Sequence, residues 1–285
     1  MPKKVTFTLD DSIVAERMYK DCAHRTTPHG LVIEKCVQEE LRAFLAAFLE
    51  FVGCKECVFL RMDAFVSETH LDVIEINVEL QDGWGVALNL LRAAGHSPSF
   101  NGAYLPTEII DYDNGYHEEF DLAQREFGLF GHRMNVVHWR DRRGVIAKGE
   151  FDSKMFLARF AQVWKGERVR VPRMFFAEAT AWEAIPEDVV FKFCHKYGKE
   201  ARQAGFSVAT RVQLGKGKHM RRCYNAGTAI AQERVTTLSL HDGSRAQAII
   251  LSSRDDLLAG YTQVAPSGEF IINDRTSVKG PLVFE

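Results

Sequence analysis

The 285-residue sequence is poor in the features that mark specialised protein classes. Its six cysteines (Cys22, Cys36, Cys54, Cys57, Cys194 and Cys223) are too sparse for a disulfide framework and read as reduced thiols. Long apolar runs are missing: the stretch from Leu41 to Val52 carries Arg42 and Glu50 and is too short to cross a bilayer, so no membrane partner is expected. The opening MPKKVTFTLDD lacks the apolar segment of a secretory signal, which makes the cytoplasm the expected compartment. Neither sign of charge dominates: 36 Lys and Arg stand against 38 Asp and Glu, so no global field draws the molecule to nucleic acid or lipid. Internal repeats and low-complexity tracts are absent, as are HExxH, GxSxG, Walker and GxGxxG patterns, and hydrolase and dehydrogenase readings lose their usual support. Cys54 and Cys57 have the spacing of half a zinc site, but no second pair follows, and helix exit into a strand explains them more simply.

What is present is an ordinary folding composition, 46% hydrophobic and 26% charged, in a chain long enough for one large domain or two packed lobes. Between Leu31 and Val52 the residues Val37, Leu41, Phe44, Leu45, Phe48 and Val52 recur three and four apart, which predicts a core-facing helix ended by Gly53. Further helices are expected over 86–94, 118–130 and 152–165, the last with Asp152 as N-cap, and a loop over 97–115. Strands are expected over 57–66, 71–78, 134–139, 168–171, 188–194, 207–214, 228–235, 245–251, 260–264 and 269–272. The fold class is therefore α/β (α+β).

The pair of runs from Cys57 to Val66 and from Leu71 to Val78 is joined by Ser67-Glu-Thr-His70 and predicts an antiparallel hairpin. Period-two geometry puts Arg61 and Asp63 on one face of its first strand, and Glu75 and Asn77 on one face of its second. Asp, Glu and Asn on adjacent strands suit a hard cation such as Mg²⁺, and an arginine beside them suits phosphate or carboxylate. The alternation alone is equally compatible with the solvent face of an amphipathic hairpin.

Arg61-Met-Asp63, followed twelve positions after Asp63 by Glu75-Ile-Asn77, resembles the R-x-D and E-x-N metal signature of the ATP-grasp superfamily. The resemblance implies that Asp63, Glu75 and Asn77 hold Mg²⁺ (or Mn²⁺) against ATP phosphates, with Arg61 facing phosphate or substrate. The hairpin comes early in the chain, as in the circularly permuted branch of glutathionylspermidine synthetase-like and eukaryotic glutathione synthetase-like enzymes. Nucleotide-binding strands should then lie downstream. Asp188-Val-Val-Phe-Lys192 resembles the strand bearing an ATP-phosphate lysine, and Lys154, within the Asp152-Ser-Lys154 run that opens a helix, resembles the second ATP lysine. Ala229-Ile-Ala-Gln-Glu-Arg-Val235 resembles the hinge that recognises adenine and ribose, giving those roles to Gln232, Glu233 and Val235. Lys216 and Lys218, within Gln213-Leu-Gly-Lys-Gly-Lys218, stand where a glycine-containing phosphate flap is expected, with Gly198 and Gly205 competing for that role. Arg245 matches a basic position on the strand after the hinge, and Asn273 and Arg275 match the closing phosphate and substrate segment, with Arg275 and Arg61 as catalytic candidates.

The resemblance implies two β-rich lobes enclosing a nucleotide: residues 1–95 carrying the metal hairpin, 96–150 a small α/β unit, and 151–285 the nucleotide lobe and the rest of the core. The implied activity is ATP- and Mg²⁺-dependent ligation, in which an acylphosphate made from a small-molecule or peptide carboxylate is captured by an amine or thiol. A phosphotransferase on the same scaffold and a catalytically idle nucleotide- or RNA-binding protein stay open, as does a homodimer that completes the site. The basic run of Arg211, Lys216, Lys218, His219, Arg221 and Arg222, with Tyr224 nearby, reads first as a solvated flap and second as a nucleic-acid surface.

Overall fold

The structure, a computed structural model, describes residues 1–14, 25–54, 59–77, 83–98, 108–111, 121, 123–125, 135–138, 153–195, 199–206, 208–214, 217–240, 243–254, 256–265, 272 and 277–285. Two β-sheets dominate a mixed α/β architecture. The larger has eight strands: β1 (Pro2–Thr6), β2 (His29–Ile33), β3 (Leu60–Val66), β4 (Leu71–Asn77), β7 (Val169–Arg170), β12 (Arg245–Ser252), β13 (Leu257–Ala265) and β14 (Val278–Phe284). Their spatial order is β1-β2-β14-β13-β12-β3-β4-β7. Neighbours are antiparallel except at β2–β14 and β4–β7, which are parallel. The smaller sheet is antiparallel, in the order β10-β9-β11-β8, from β8 (Met174–Phe175), β9 (Val189–Phe193), β10 (Val208–Thr210) and β11 (Ala229–Glu233). A parallel pair, β5 (Glu108–Asp111) and β6 (Asn135–His138), stands apart from both.

The longest helix, α2 (Lys35–Val52), follows a four-residue turn α1 (Asp11–Val14) and buries Val37, Leu41, Phe44, Leu45 and Phe48 against the large sheet. Gly53 ends it in the left-handed conformation (φ 73°), with its N–H on the Glu50 carbonyl and that of Cys54 on Leu49, a closure that glycine makes without strain. The predicted helix start at Leu31 is four residues early. Leu31, Val32 and Ile33 instead form β2, because the distant β14 offers them ladder partners. The opposite face of the sheet is covered by α3 (Trp84–Ala93), packed on Phe59, Ile249, Leu251 and Tyr261. Helices on both faces explain why β12 and β13 are buried along nearly their whole length.

The next helix, α4 (Lys154–Phe160), is capped by Ser153 and not by Asp152, with the Ser153 hydroxyl accepting from the Met155 N–H at 3.4 Å. Its Phe160 meets Phe44 and Phe48 edge-on. Three short helices serve the small sheet: α5 (Lys199–Ala204), α6 (Arg211–Leu214) and α7 (Lys218–Asn225). The strand expected over 207–214 stops at Thr210. There the Gln213 side chain accepts from the Thr210 N–H at 2.8 Å and turns the chain into α6, a local bond that outcompetes the ladder. Strands β1, β8 and β14 are not foreseen from the sequence: β8 has two residues, and β1 and β14 carry proline (Pro2 and Pro281), which weakens a strand signal. Residues 108–111, in the expected loop, form β5, and of the helix expected over 118–130 the described residues 121 and 123–125 are helical. Among the described residues no helix is long and apolar enough to cross a membrane.

A candidate phosphate and metal site where the two sheets meet

Strands β3 and β4 form the expected hairpin, closed by Ser67–His70, with Asp63 directly opposite Glu75 and Arg61 opposite Asn77. The four polar groups thus converge as the period-two argument requires. On β3 they alternate with Leu60, Met62, Ala64 and Val66, all in the large core. The ladder slips between Asp63 and Ala64, which pair with Glu75 and Val73, so Ile74 is a bulged residue.

That bulge has a partner. Lys192, on β9 of the small sheet and 5% exposed, donates from Nζ to the Ile74 carbonyl at 3.2 Å. Burial lowers its pKa to about 8, against the opposing pull of Glu75 and Asp63, and Lys154 lowers it further. A charge in a largely buried strand must find polar company, and here it lies across the junction between the sheets. Lys154, the first residue of α4, donates to Glu75 Oε1 at 3.0 Å, and its backbone N–H bonds the Cys194 carbonyl at the end of β9. Arg61 grips Asp63 with two bonds, Nε to Oδ1 at 2.8 Å and Nη2 to Oδ2 at 3.0 Å. Gln247 of β12 donates to the same Oδ2 at 2.9 Å.

Among the described residues no three carboxylates, imidazoles and thiols come together, so a metal site here would rest on two carboxylates and the Asn77 amide. That all-oxygen donor set fits Mg²⁺ or Mn²⁺ in kind.

Gln232 is opposite Val190 in the β11–β9 ladder, two residues from the Ile230–Lys192 pair, and so shares the face of the small sheet that carries Lys192. It is 2% exposed, and its Oε1 meets no hydrogen-bond donor among the described residues. Glu233 and Val235 lie beside it but line a different space, a cavity of about 660 Å³ shared with His70, Asp72, Arg170 and Arg173. Within it His70 meets Asp72 at 3.1 Å, and burial pushes the Asp72 carboxyl up against that pull. Arg245 shares the Gln247 face of β12 by register.

Lys218 is placed elsewhere. It opens α7, whose Met220, Cys223 and Tyr224 pack with Val189, Phe191 and Phe193 on the opposite face of the small sheet. Lys216, Asn273 and Arg275 lie outside the described residues. The nucleic-acid reading of the basic run loses two groups to the fold. The Arg211 guanidinium lies over the rings of Phe191 and Trp182 (5.4 and 5.6 Å) and donates to the Ile185 carbonyl. Tyr224 is fully buried with its hydroxyl on the Thr180 carbonyl.

Two participants escape sequence reasoning. Gln247 sits in an apolar-looking run, and its alternation with Arg245 and Ile249 fixes a face but not the neighbour across which it reaches. The Ile74 carbonyl is a backbone group exposed by a bulge, for which no residue type is a signal.

The sequence matches no known protein family, and no curated protein resembles it significantly. By shape the chain is similar to a solved structure from Methylobacillus flagellatus KT, provisionally assigned as a gamma-glutamylcysteine synthetase. The two share 9% identity and a TM-score of 0.46 over 87% of this chain and 88% of that one. A likeness of that degree carries no inference about activity.

Proposed function

We propose that the chain is an ATP- and Mg²⁺-dependent ligase that joins a carboxylate to an amine, or to a thiol, through an acylphosphate, on a circularly permuted ATP-grasp-like scaffold. The observation that carries this reading is the meeting of Lys154, Lys192 and Arg61 with Asp63 and Glu75 at the junction of the two sheets. Such a cluster suits a transferring phosphoryl group, for which catalysis is mostly positioning and charge stabilisation. Lys154 and Lys192 would hold phosphate oxygens, and Asp63, Glu75 and Asn77 would hold Mg²⁺, which when bound supplies Lewis-acid stabilisation of phosphoryl charge. The Oε1 of Gln232, on the Lys192 face and without a donor among the described residues, suits an exocyclic amine such as that of adenine.

In the reaction a substrate carboxylate oxygen bonds the γ-phosphorus of ATP while the bond to ADP breaks. An amine nitrogen then bonds the acyl carbon, phosphate leaves, and the amine proton passes to solvent or a base. No protein nucleophile is needed. The finer assignments of Glu233, Val235, Lys216, Lys218, Arg245, Asn273 and Arg275 to nucleotide or substrate rest on the sequence resemblance.

The test is a thermal-shift titration with ATP, ADP and GTP, with and without Mg²⁺. ATP at a hundred times its Kd would stabilise the fold by about 2.7 kcal/mol. The expected result is a shift with ATP that grows on adding Mg²⁺, the growth vanishing in Glu75→Gln. Asp63→Asn and Glu75→Gln should each lower ATP turnover by at least about a hundredfold while the variants stay folded. Unchanged melting at millimolar nucleotide would refute the reading.

A further inference from the structure

The charge at the junction does not resemble a site waiting for a free metal ion. Asp63 is already held bidentately by Arg61 and by Gln247, and Glu75 by Lys154. With Lys192 beside them, three cationic side chains stand against two carboxylates among the described residues. A bare divalent cation arriving here must displace an ammonium ion from Glu75 without any new anion to receive it. That ammonium is on a side chain 5% exposed and has little water to turn to. A polyphosphate meets the reverse situation. It brings negative charge to Lys154, Lys192 and Arg61, and in drawing Lys154 away it frees the Glu75 carboxylate.

From these pairings we infer that Lys154 acts as a charge lock on Glu75: the hairpin takes up a divalent cation only together with a polyphosphate, and the resting site is an anion site. This rests on the reading of Asp63, Glu75 and Asn77 as metal ligands given above. Lys154 therefore has two positions, on Glu75 in the empty site and on phosphate in the loaded one. The device would keep the site from filling with free divalent cation, which would otherwise leave its cationic side chains without a counter-charge.

The experiment measures Mn²⁺ binding directly, from the loss of the free-Mn²⁺ paramagnetic resonance signal, on the whole chain without nucleotide. Calorimetry with ATP in the presence of chelator accompanies it. Wild type is expected to bind no Mn²⁺ below about 1 mM, yet to bind metal-free ATP. Lys154→Met should bind bare Mn²⁺ at least about tenfold more tightly and metal-free ATP more weakly, whereas Lys154→Arg, which keeps the charge, should behave as wild type. Adding Glu75→Gln to Lys154→Met should abolish the gained Mn²⁺ binding. Submillimolar Mn²⁺ binding by wild type that is lost in Glu75→Gln would overturn the lock while leaving the ligase reading intact, and this arm does not depend on how Lys154→Met folds. Equal Mn²⁺ affinity in wild type and a folded Lys154→Met would overturn it as well. If neither Mn²⁺ nor ATP, singly or together, binds wild type, the ligase reading falls and the lock with it.

Discussion

Two buried charges, one on each sheet, are satisfied in opposite ways. On the eight-stranded sheet, Asp63 is neutralised by Arg61 two residues before it on the same strand, with Gln247 from the next strand adding a third bond. On the four-stranded sheet, Lys192 finds its hydrogen-bond acceptor 118 residues away, at the bulged Ile74 of the other sheet. One charge is self-contained and the other is a bridge. A bridge of this kind makes the electrostatics of the small sheet depend on how it sits against the large one, which is the arrangement a ligand between them can exploit. The cores differ in parallel: Phe44, Phe48 and Phe160 belong to a cluster that reaches α2, α4 and both sheets, whereas Phe191 and Phe193 belong to one that serves the small sheet alone.

The strongest way to break this contrast is to empty the smaller core. Phe191 is fully buried and stacked on Trp182 at 5.0 Å, so Phe191→Ala should cost about 3–5 kcal/mol in chemical denaturation. Hydrogen exchange should then show β9 and β11 opening while β12 and β13 stay protected. Equal loss of protection in both sheets would mean that they unfold as one unit.

The bridge itself can be read from pH. The folded-state pKa of Lys192, about 8, lies below its ordinary 10.5, so between these values the unfolded chain binds more protons and stability rises with pH. Below pH 8 the folded protein carries the full cost of a buried ammonium, and by pH 10.5 about 3 kcal/mol of it is relieved. The stability difference between wild type and Lys192→Met should move in favour of wild type across this window, as followed by urea titration at several pH values. A constant difference would mean that Lys192 is better solvated than its burial implies.

A smaller effect tests the placement of Lys154. Loss of the cap in Ser153→Ala should cost about 1 kcal/mol and fray the first turn of α4, weakening the Lys154–Glu75 pair more than the Arg61–Asp63 pair. A double-mutant cycle between positions 153 and 75 would register that coupling, and strict additivity would exclude it.

The smallest effect belongs to the surface of the large sheet. Hydrogen bonds from Lys3 and the N-terminal ammonium hold the Glu34 carboxyl down to about 2. Its contribution is present above about pH 4.5 and is lost as pH falls toward 2. Since the pair lies at the surface, where solvent screens it, Glu34→Gln should flatten the acid limb of the melting curve only slightly.

The readable parts of the molecule share a physical character. The α2 stripe, its Gly53 stop and the alternation of Arg61 and Asp63 with Met62 and Ala64 are local periodicities, and each appears where the sequence puts it. The apolar neighbours of Lys192 in sequence, Val189, Val190, Phe191 and Phe193, point to a largely buried strand, and Lys192 is 5% exposed. Where local chemistry had a close competitor the reading slipped, as at Thr210, where one side chain closes a helical turn, and at Ser153, one residue from the expected cap.

By itself the sequence determined the class of the fold, the hairpin and the face on which its carboxylates lie, because side-chain period and turn chemistry act over a few residues. Only the tertiary structure decided that β2 joins β14, that Gln247 reaches Asp63, that Lys154 holds Glu75, and that Lys192 crosses to a bulge in the other sheet. Those contacts join residues dozens to hundreds of positions apart. They form because the packed core brings the sheets together and buried charges then take whatever partners the packing offers.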